Sequence, residues 1–312
     1  VNTYAVLNCE ADAYPPPVYN WYKEDSEIDP ETNEKYTLVN GQLIIDDPNE
    51  EDGDDGRYQC AASNDFGTVL SNTVELKFGF LQDFPKDNRA PVDAVEFNWI
   101  SIECNPPPHF PDVVYTWFKD GIVVQSRYKP YTMTSYDGRL YFSEVTKDDM
   151  GHYQCSVQIP GRAASKHSMP IELKVGAGSP GIYEPKIGSG FPVIHPKSPK
   201  VGDSIRIECW ATGTAAPGEK LYYYWNKVLE ENNQVRVIDL PPQSYTLDHD
   251  RVLVIPNVQV YDAGMYRCMA QRENGQSNNK TVPLRLDSYP YFILPLKDQF
   301  ADVNTPLKWR CT

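Results

Sequence analysis

The sequence predicts an all-β protein built from several sandwich domains in tandem. Its 312 residues include 21 tyrosines and 27 prolines but only 5 methionines, a composition typical of many short strands joined by turns. Every second cysteine recurs after 95, 105 and 102 residues, so a unit of about a hundred residues repeats. These cysteines are Cys9, Cys104, Cys209 and Cys311.

The complete units share one order of residues. The first cysteine ends an alternating apolar run, as in Ile205, Ile207 and Cys209, which indicates a strand with one buried face. A tryptophan follows after 12, 13 or 16 residues, then a second alternating run, then Asp-x-Gly-x-Tyr-x-Cys. The residues at these positions are Trp21, Trp117 and Trp225 for the tryptophan, and Tyr58, Tyr153 and Tyr266 for the tyrosine.

This order of residues resembles the immunoglobulin signature, and "CAASNDFG" and "CMAQRENG" resemble the ends of I-set domains. The resemblance implies that a disulfide joins two sheets, that the tryptophan packs against it, and that the tyrosine forms a corner hydrogen bond. The sequence contains no close CxxC pair, so it does not suggest zinc binding or redox chemistry. The regularly paired cysteines indicate an oxidising, extracellular setting. The expected disulfides are Cys9–Cys60, Cys104–Cys155 and Cys209–Cys268.

The predicted domains follow from this period. They are domain one at 1–78 without its first strand, domain two at 79–175, a linker and first strand at 176–190, domain three at 191–287, and the truncated start of domain four at 288–312. Cys311 ends the alternating stretch "LKWRC", so we expect it to be the first cysteine of domain four, left unpaired by truncation. A free functional thiol is the alternative. The sequence shows no leader and no apolar run of about 20 residues. Because the chain begins at Val1 with no initiator methionine, we expect a piece of a larger protein, with any leader or membrane anchor outside it.

Four stretches of the sequence resemble one family within the immunoglobulin superfamily. "LKFGFLQDF" at 76–84 and "CNPPPHFPDVVYTW" at 104–117 resemble the contactins, a family of lipid-anchored neural and junctional adhesion molecules. "YEPKIGSGFP" and "PLKWRC" follow in the order found in that family, so the resemblance covers essentially the whole chain. The long segment from Trp210 to Trp225 departs from vertebrate contactins, which points to an invertebrate member.

The resemblance to contactins implies a larger protein with six immunoglobulin domains, four fibronectin type III domains and a GPI anchor. The first four domains would fold back into a horseshoe, domain one against four and two against three, with the glycine-rich joint at 176–185 at the reversal. The implied function is adhesion at the extracellular face of the plasma membrane, in cell junctions such as septate junctions or in neural contacts. The implied partners are neuroglian- or L1-type immunoglobulin proteins, neurexin-like proteins or receptor phosphatases, with homophilic contact also possible. The alternative is the ligand-binding ectodomain of a signalling receptor or of an L1-type transmembrane molecule.

The negative charge is concentrated in domain one. Residues 1–78 carry 4 basic and 17 acidic side chains, a net of −13, whereas 79–175 and 191–287 have nets of −2 and zero. The loop "DDPNEEDGDDG" is either a solvated loop, a site that steers a basic partner, or, least favoured, a calcium site, because its spacing does not fit a calcium-loop motif. The sign of the charge disfavours nucleic acid and heparin. The candidate partner-steering residues are Asp46, Asp47, Glu50, Glu51, Asp52, Asp54 and Asp55.

No motif in the sequence indicates catalysis, a metal or a cofactor. The five histidines lie outside any HExxH motif, and none has a plausible cysteine or serine nucleophile beside it in the sequence. Asn279 begins the only N-x-[ST] sequon and is a candidate glycosylation site. The proline-rich turns "YPPPVY" and "NPPPHFPDVVY" are expected to shape the connection between the second and third strands, and recognition through their aromatic residues is the alternative.

Overall fold

The computed structural model describes residues 3–125, 131–181, 184–213, 220–231 and 234–287. The chain forms two compact units, one of Val1–Gln82 with Pro108–Val113 and one of Asp83–Pro107 with Val114–Thr312. The first unit holds domain one together with residues 79–82 and 108–113, and the second holds the rest of domain two and domain three. Within the described ranges no helix has the length and hydropathy of a membrane-spanning segment.

Domain one is a sandwich of two sheets. Its strands are β1 (Tyr4–Asn8), β2 (Val18–Lys23), β3 (Ser26–Glu27), β4 (Tyr36–Val39), β5 (Gln42–Asp46), β6 (Gly56–Asn64), β7 (Gly67–Leu70) and β8 (Val74–Leu76). The sheets have the orders β1-β5-β4 and β3-β2-β6-β7, and β8 also pairs with β6. In the antiparallel pair of β1 and β5, Tyr4 lies opposite Asp46 and Asn8 opposite Gln42. The loop after β5 and the loop after β1 therefore lie at opposite ends of the domain.

Domain two repeats this architecture. The strands from its connecting segment onward are β9 (Phe80–Leu81), β10 (Val92–Val95), β11 (Ile100–Ile102), β12 (His109–Phe110), β13 (Val114–Lys119), β14 (Ile122–Val123), β15 (Thr132–Thr134), β16 (Leu140–Phe142), β17 (Gly151–Gln158), β18 (Ser165–His167) and β19 (Ile171–Gly176). One sheet has the order β10-β19-β17-β13-β14, with β18 paired to β17, and the other has the order β11-β16-β15. Strand β12 pairs with β9, and both belong to the first compact unit. The first unit thus extends to Gln82, beyond the expected boundary at 78.

Domain three is the third sandwich. Its strands are β20 (Lys186–Ile187), β21 (Val193–His195), β22 (Ile205–Glu208), β23 (Ala211–Thr212), β24 (Tyr222–Glu231), β25 (Gln234–Ile238), β26 (Tyr245–Leu247), β27 (Val252–Ile255), β28 (Gly264–Gln271) and β29 (Ser277–Leu284). The main sheets have the orders β21-β22-β27-β26 and β25-β24-β28-β29. Strand β20 pairs with β23, so the segment after Gly176 joins domain three from Lys186 onward. Cys311 and the start of domain four lie outside the described residues.

A disulfide crosses the core of each sandwich. The S–S distances of Cys9–Cys60, Cys104–Cys155 and Cys209–Cys268 are 2.04, 1.99 and 1.99 Å. The tryptophan of each domain is buried beside its disulfide. Its indole N–H donates to a backbone carbonyl in a turn between two strands of the opposite sheet. These bonds are Trp21 to Gly41 at 3.1 Å, Trp117 to Gly138 at 2.9 Å and Trp225 to Asp250 at 2.8 Å.

A tyrosine corner closes each sandwich. The tyrosine hydroxyl donates to the carbonyl of the motif aspartate four residues earlier, and the aspartate side chain is buried. In domains two and three this carboxylate also accepts the backbone N–H of the residue three positions before it, which fixes a 3₁₀ turn. The corner bonds are Tyr58 to Asp54 at 2.7 Å, Tyr153 to Asp149 at 2.8 Å and Tyr266 to Asp262 at 2.7 Å.

Domains two and three pack together through side chains that face away from their own cores. Met133 and Tyr141 lie opposite each other on β15 and β16. Met133 is fully buried in the hydrophobic cluster of domain three, and the Tyr141 ring lies 4.9 Å from that of Trp210. Trp210 also makes an edge-to-face contact with Trp99 at 5.5 Å. The contact therefore has an aromatic centre, which is well suited to hold two domains in one arrangement.

A buried carboxylate also belongs to this contact. Glu208 faces outward from β22, yet it is fully buried, because domain two covers it. Its Oε1 accepts the Tyr136 backbone N–H at 2.9 Å and the Arg206 Nε–H at 2.7 Å. The His195 ring stacks on that of Tyr136 at 4.7 Å, and its Nε2 lies 3.8 Å from Glu208 Oε2. Burial raises the pKa of Glu208, although Arg206 and the Tyr136 N–H oppose that shift.

A second charged side chain spans the two domains. Arg251 of domain three is 1% exposed, and its Nη2 donates to the Thr132 carbonyl of domain two at 2.6 Å. The same nitrogen lies 2.9 Å from Asp248 Oδ1. The contact of domain two with domain three that the resemblance implies is thus present. The pairing of domain one with domain four involves residues outside the described ranges and stays a prediction.

We expect Tyr153→Phe to lower the free energy of unfolding of domain two by about 1 kcal/mol, because it removes one buried hydrogen bond and keeps the ring. Tyr261→Phe is the matched control, since that side chain is 74% exposed. Denaturant unfolding combined with hydrogen exchange of strand β17 measures the change. Equal stability of the two variants would show that the corner bond contributes nothing net.

We expect the packing of domains two and three to become less stable as the pH rises through the pKa of Glu208. Burial raises the pKa of Glu208 in the packed state above the usual value, which it keeps when the domains are separated. At a pH between these two pKa values the packed state binds more protons than the separated state. The stability of the packed state therefore falls as the pH rises through that window. Thermal unfolding between about pH 4 and pH 8 measures this, with Glu208→Gln as the variant that keeps the Oε1 acceptor. The idea is wrong if wild type and variant show the same pH slope.

Candidate recognition site

The acidic loop of domain one is an ordered turn rather than a free arm. Asp54 is 1% exposed, and its carboxylate accepts the Asn49 backbone N–H at 2.9 Å. The hydrogen bond from a backbone N–H to the corner carboxylate spans three residues in domains two and three. In domain one it spans five residues, so this turn is two residues longer. Gly53 adopts a φ of +69°, in the left-handed region that glycine tolerates best, where the loop turns back.

Lys35 holds the centre of this loop. Its Nζ lies 2.7 Å from Asp52 Oδ2 and 2.5 Å from Asp54 Oδ2. The hydrogen bond from Lys35, followed by that from Asn49, lowers the pKa of Asp52, and the bonds to Asp52 and Asp54 raise the pKa of Lys35. Asp52 and Asp54 therefore serve the fold of the loop. The sequence placed Asp54 among the partner-steering residues, although it is also the aspartate of the tyrosine corner.

The other acidic side chains of the loop face solvent. Within the described part of the chain no ion pair involves the carboxylates of Glu50, Glu51 or Asp55. Asp47 accepts a hydrogen bond from the Thr3 hydroxyl at 3.0 Å. The exposed residues of the loop that can present charge to a partner are Asp46, Asp47, Glu50, Glu51 and Asp55.

The two proline-rich turns have different roles. In the turn 105–113, His109 and Phe110 form strand β12, which pairs with Phe80 and Leu81 of the connecting segment. The Lys77 Nζ lies 5.7 Å from the centre of the Phe110 ring. This turn therefore stabilises the connection. The turn 14–19 of domain one instead leaves Tyr14 92% exposed.

The candidate glycosylation site lies on a sheet face. Asn279 is exposed on β29 and lies opposite Met269 of β28. Because Cys268 points into the core, Met269 and Asn279 point outward. A glycan on Asn279 would cover the outer face of this sheet and exclude a protein contact there.

In the described parts of the chain, the histidines and acidic residues do not gather into a metal-binding cluster. His152 is exposed on β17, as expected from its position, and His195 belongs to the contact between domains two and three. Among the residues that the structure describes, no group of three or more His, Cys, Asp or Glu side chains is arranged to hold a metal ion.

Some residues of these surfaces had no clear signal in the sequence. The role of Lys35 depends on two aspartates that lie 17 and 19 residues away in the chain. Trp210 stands directly after Cys209, so strand alternation alone points it outward, and an outward tryptophan is a signal of a covered face. Phe66 of the turn between β6 and β7 is 85% exposed and was not singled out from the sequence.

We expect Asn279 to carry an N-linked glycan when the chain is secreted from eukaryotic cells, because the sequon is exposed on a strand surface. Treatment with a peptide N-glycosidase should lower the mass of the wild type and leave that of Thr281→Ala unchanged. A wild-type mass that the enzyme does not alter would contradict this expectation.

The comparisons with known proteins agree with this geometry. Two models of the immunoglobulin domain match, one at residues 1–64 and 192–271 and the other at residues 96–175. Contactin-5 of Rattus norvegicus is 34% identical over 310 residues, which is 98% of this chain and 26% of that protein. Contactin of Drosophila melanogaster is 33% identical over 315 residues, which is 98% of this chain and 21% of that protein. The chain thus spans about a quarter of the length of these relatives.

Solved structures show the same fold. Immunoglobulin domains 1–5 of Sidekick-1 match with a TM-score of 0.58 and 23% identity, over 94% of this chain and 57% of that one. The insect immune protein hemolin matches with a TM-score of 0.62 and 19% identity, over 94% of this chain and 75% of that one. Tandem immunoglobulin sandwiches and similarity to contactins along 98% of the sequence lead to one assignment. The chain belongs to the contactin family of the immunoglobulin superfamily.

Proposed function

We propose that the chain is part of a cell-surface adhesion and recognition protein that binds other cell-surface proteins through its immunoglobulin domains. The observation that carries this proposal is the identity of about one third with contactins of rat and fly along 98% of the chain. Those relatives are recognition proteins and not enzymes.

The proposed location is the extracellular face of the plasma membrane. Three disulfides, one in each domain, suit an oxidising compartment. We further propose a GPI anchor outside this sequence and a place at cell–cell junctions such as septate junctions. Both of these depend on the family resemblance.

The proposed partners are other adhesion proteins. Immunoglobulin-class molecules of the L1 or neuroglian type, neurexin-like proteins and receptor phosphatases are the candidates that the resemblance implies, and a second copy of the chain is the homophilic candidate. Domains two and three contribute a rigid block, since their contact buries Met133, Glu208 and Arg251. A rigid block presents its loops and sheet faces with little loss of conformational entropy on binding.

The acidic loop is proposed to steer a basic partner toward domain one. Its exposed carboxylates add to a net charge of −13 in residues 1–78. Concentrated charge of one sign raises the rate of association with an oppositely charged protein, and salt weakens this effect. The fold of the loop does not depend on Glu50, Glu51 and Asp55, so these three can be neutralised without disturbing Asp54.

We expect beads that carry the complete ectodomain to cluster with beads that carry a partner ectodomain, and to cluster faster at low salt. Neutralising Glu50, Glu51 and Asp55 as amides should slow clustering severalfold at low salt and have little effect at high salt. The matched control neutralises Asp87, Asp93 and Asp239, which are exposed carboxylates of domains two and three.

Four outcomes are informative. Clustering of the chain alone would make homophilic adhesion the function, and clustering only in mixtures would make it heterophilic. Clustering with none of the candidate partners nor with itself would contradict the proposed function. Equal effects of the two sets of amide substitutions would remove the steering role of the loop and leave adhesion in place.

A further inference from the structure

One end of domain one exposes apolar side chains on two neighbouring loops. This end, here called the tip, consists of the loop 9–17 after β1 and the turn 64–67 between β6 and β7. Tyr14 is 92% exposed and Phe66 is 85% exposed. Aromatic side chains that are held out in water are the residue type that most often anchors a protein partner.

The adjoining sheet face continues this apolar surface. Val18 lies opposite Ser63, and Leu70 lies opposite Ala61. These positions alternate with Cys60, which points into the core, so Val18 and Leu70 point outward. Their exposures of 68% and 62% place them in solvent beside the tip. A hollow of about 240 Å³ lined by Pro17, Val18, Leu38 and Val39 among others opens at the same end.

The loops of the tip are held in place from within the domain. The Tyr19 hydroxyl accepts the Ala11 backbone N–H at 3.1 Å. The Asn64 side-chain amide donates to the Pro15 carbonyl at 3.0 Å, and its oxygen accepts the Phe66 N–H at 3.0 Å. Asn64 thereby joins the two loops that carry Tyr14 and Phe66. Ordered loops lose little conformational freedom when a partner binds.

The charge at the tip has one sign. Residues 9–20 and 61–72 contain Glu10, Asp12 and Asp65 but no lysine or arginine. All four basic side chains of residues 1–78 lie at the opposite end, beside the acidic loop. Their contacts are Lys23 with the Gly53 carbonyl, Lys35 with Asp52 and Asp54, Arg57 with Glu24, and Lys77 with Glu75.

The tip and the acidic loop act separately. They lie at opposite ends of β1 and β5, whose five residues span roughly 17 Å. The Debye length at physiological salt is about 8 Å, so the loop is largely screened from a partner bound at the tip. The carboxylates that such a partner meets are those of Glu10, Asp12 and Asp65.

We propose that the tip of domain one is a contact surface for a protein whose apolar pocket is rimmed by lysine and arginine. The inference rests on the proposed function and names its surface and the chemistry of its partner. A basic rim complements the negative tip, while an apolar pocket removes Tyr14 and Phe66 from water. The tip of a second copy would place like charges together, and domains two and three of a second copy have nets of only −2 and zero.

The test uses the complete ectodomain with Tyr14→Ser and Phe66→Ser combined. Its binding is measured on a biosensor to immobilised ectodomains of an L1-type protein, a neurexin-like protein, a receptor phosphatase and the chain itself. We expect the Kd for the heterophilic partner to rise about tenfold or more, because two exposed anchors are lost. The control combines Tyr245→Ser and Tyr261→Ser, whose side chains are 50% and 74% exposed in domain three, and should change the Kd by less than about twofold.

A second pair of variants tests the chemistry of the partner. At physiological salt, where the acidic loop is screened from the tip, Asp12→Asn with Asp65→Asn should lower the association rate severalfold, and more than Glu50→Gln with Glu51→Gln does. Unchanged thermal unfolding of all variants shows that the sandwich is intact. An association rate that does not depend on salt would contradict the proposal that the partner's pocket has a basic rim.

The remaining outcomes separate this inference from the proposed function. If the Tyr14 and Phe66 variant binds a partner as the wild type does, the surface is wrong and the adhesive function stands. If the loss is confined to binding of the chain to itself, a second copy replaces the basic partner and overturns this proposal. If the wild type binds none of the four ectodomains, the proposed function fails and this inference fails with it.

Discussion

The disulfide between the two sheets is the link on which each of these domains depends. It joins a cysteine just after strand β1, β11 or β22 to a cysteine within strand β6, β17 or β28, which also carries the corner tyrosine. A buried tryptophan packs beside it. Cross-linking of two sheets by a loop of about fifty residues stabilises a small sandwich by restricting its unfolded chain. Because the interior is held in this way, the outward faces and the loops can differ among the three domains.

The corner aspartate shows how such variation is accommodated. In all three domains its buried carboxylate holds a turn, and the tyrosine bonds to its carbonyl. Domain one lengthens that turn by two residues and recruits Lys35 to balance the added acidity at its centre. The most acidic part of the sequence is therefore also the part where basic side chains are gathered. Net charge along the sequence and charge presented to a partner are two different quantities.

Domains two and three use outward faces for a contact with each other. Met133, Glu208 and Arg251 would be surface residues of isolated sandwiches, and they are buried because the neighbouring domain covers them. Burying a carboxylate and a guanidinium is tolerable here because each finds hydrogen-bond partners, Glu208 with Tyr136 and Arg206, and Arg251 with Thr132. Polar groups of this kind disfavour other arrangements of the two domains, since a shifted contact would leave them without those partners.

The sequence by itself determined the features that repeat with a local period. Alternation, the cysteine spacing and the Asp-x-Gly-x-Tyr-x-Cys motif define the strands, the disulfides and the corners, because each depends on residues close in the chain or on one repeating core. Only the tertiary structure decided that Lys35 pairs with Asp54, that Trp210 meets Tyr141, and that Asn64 joins the loops of Tyr14 and Phe66. Those contacts join residues far apart in sequence, and their partners follow no period that a single chain reveals. Which outward side chains are covered and which stay in solvent is therefore a property of the packed molecule.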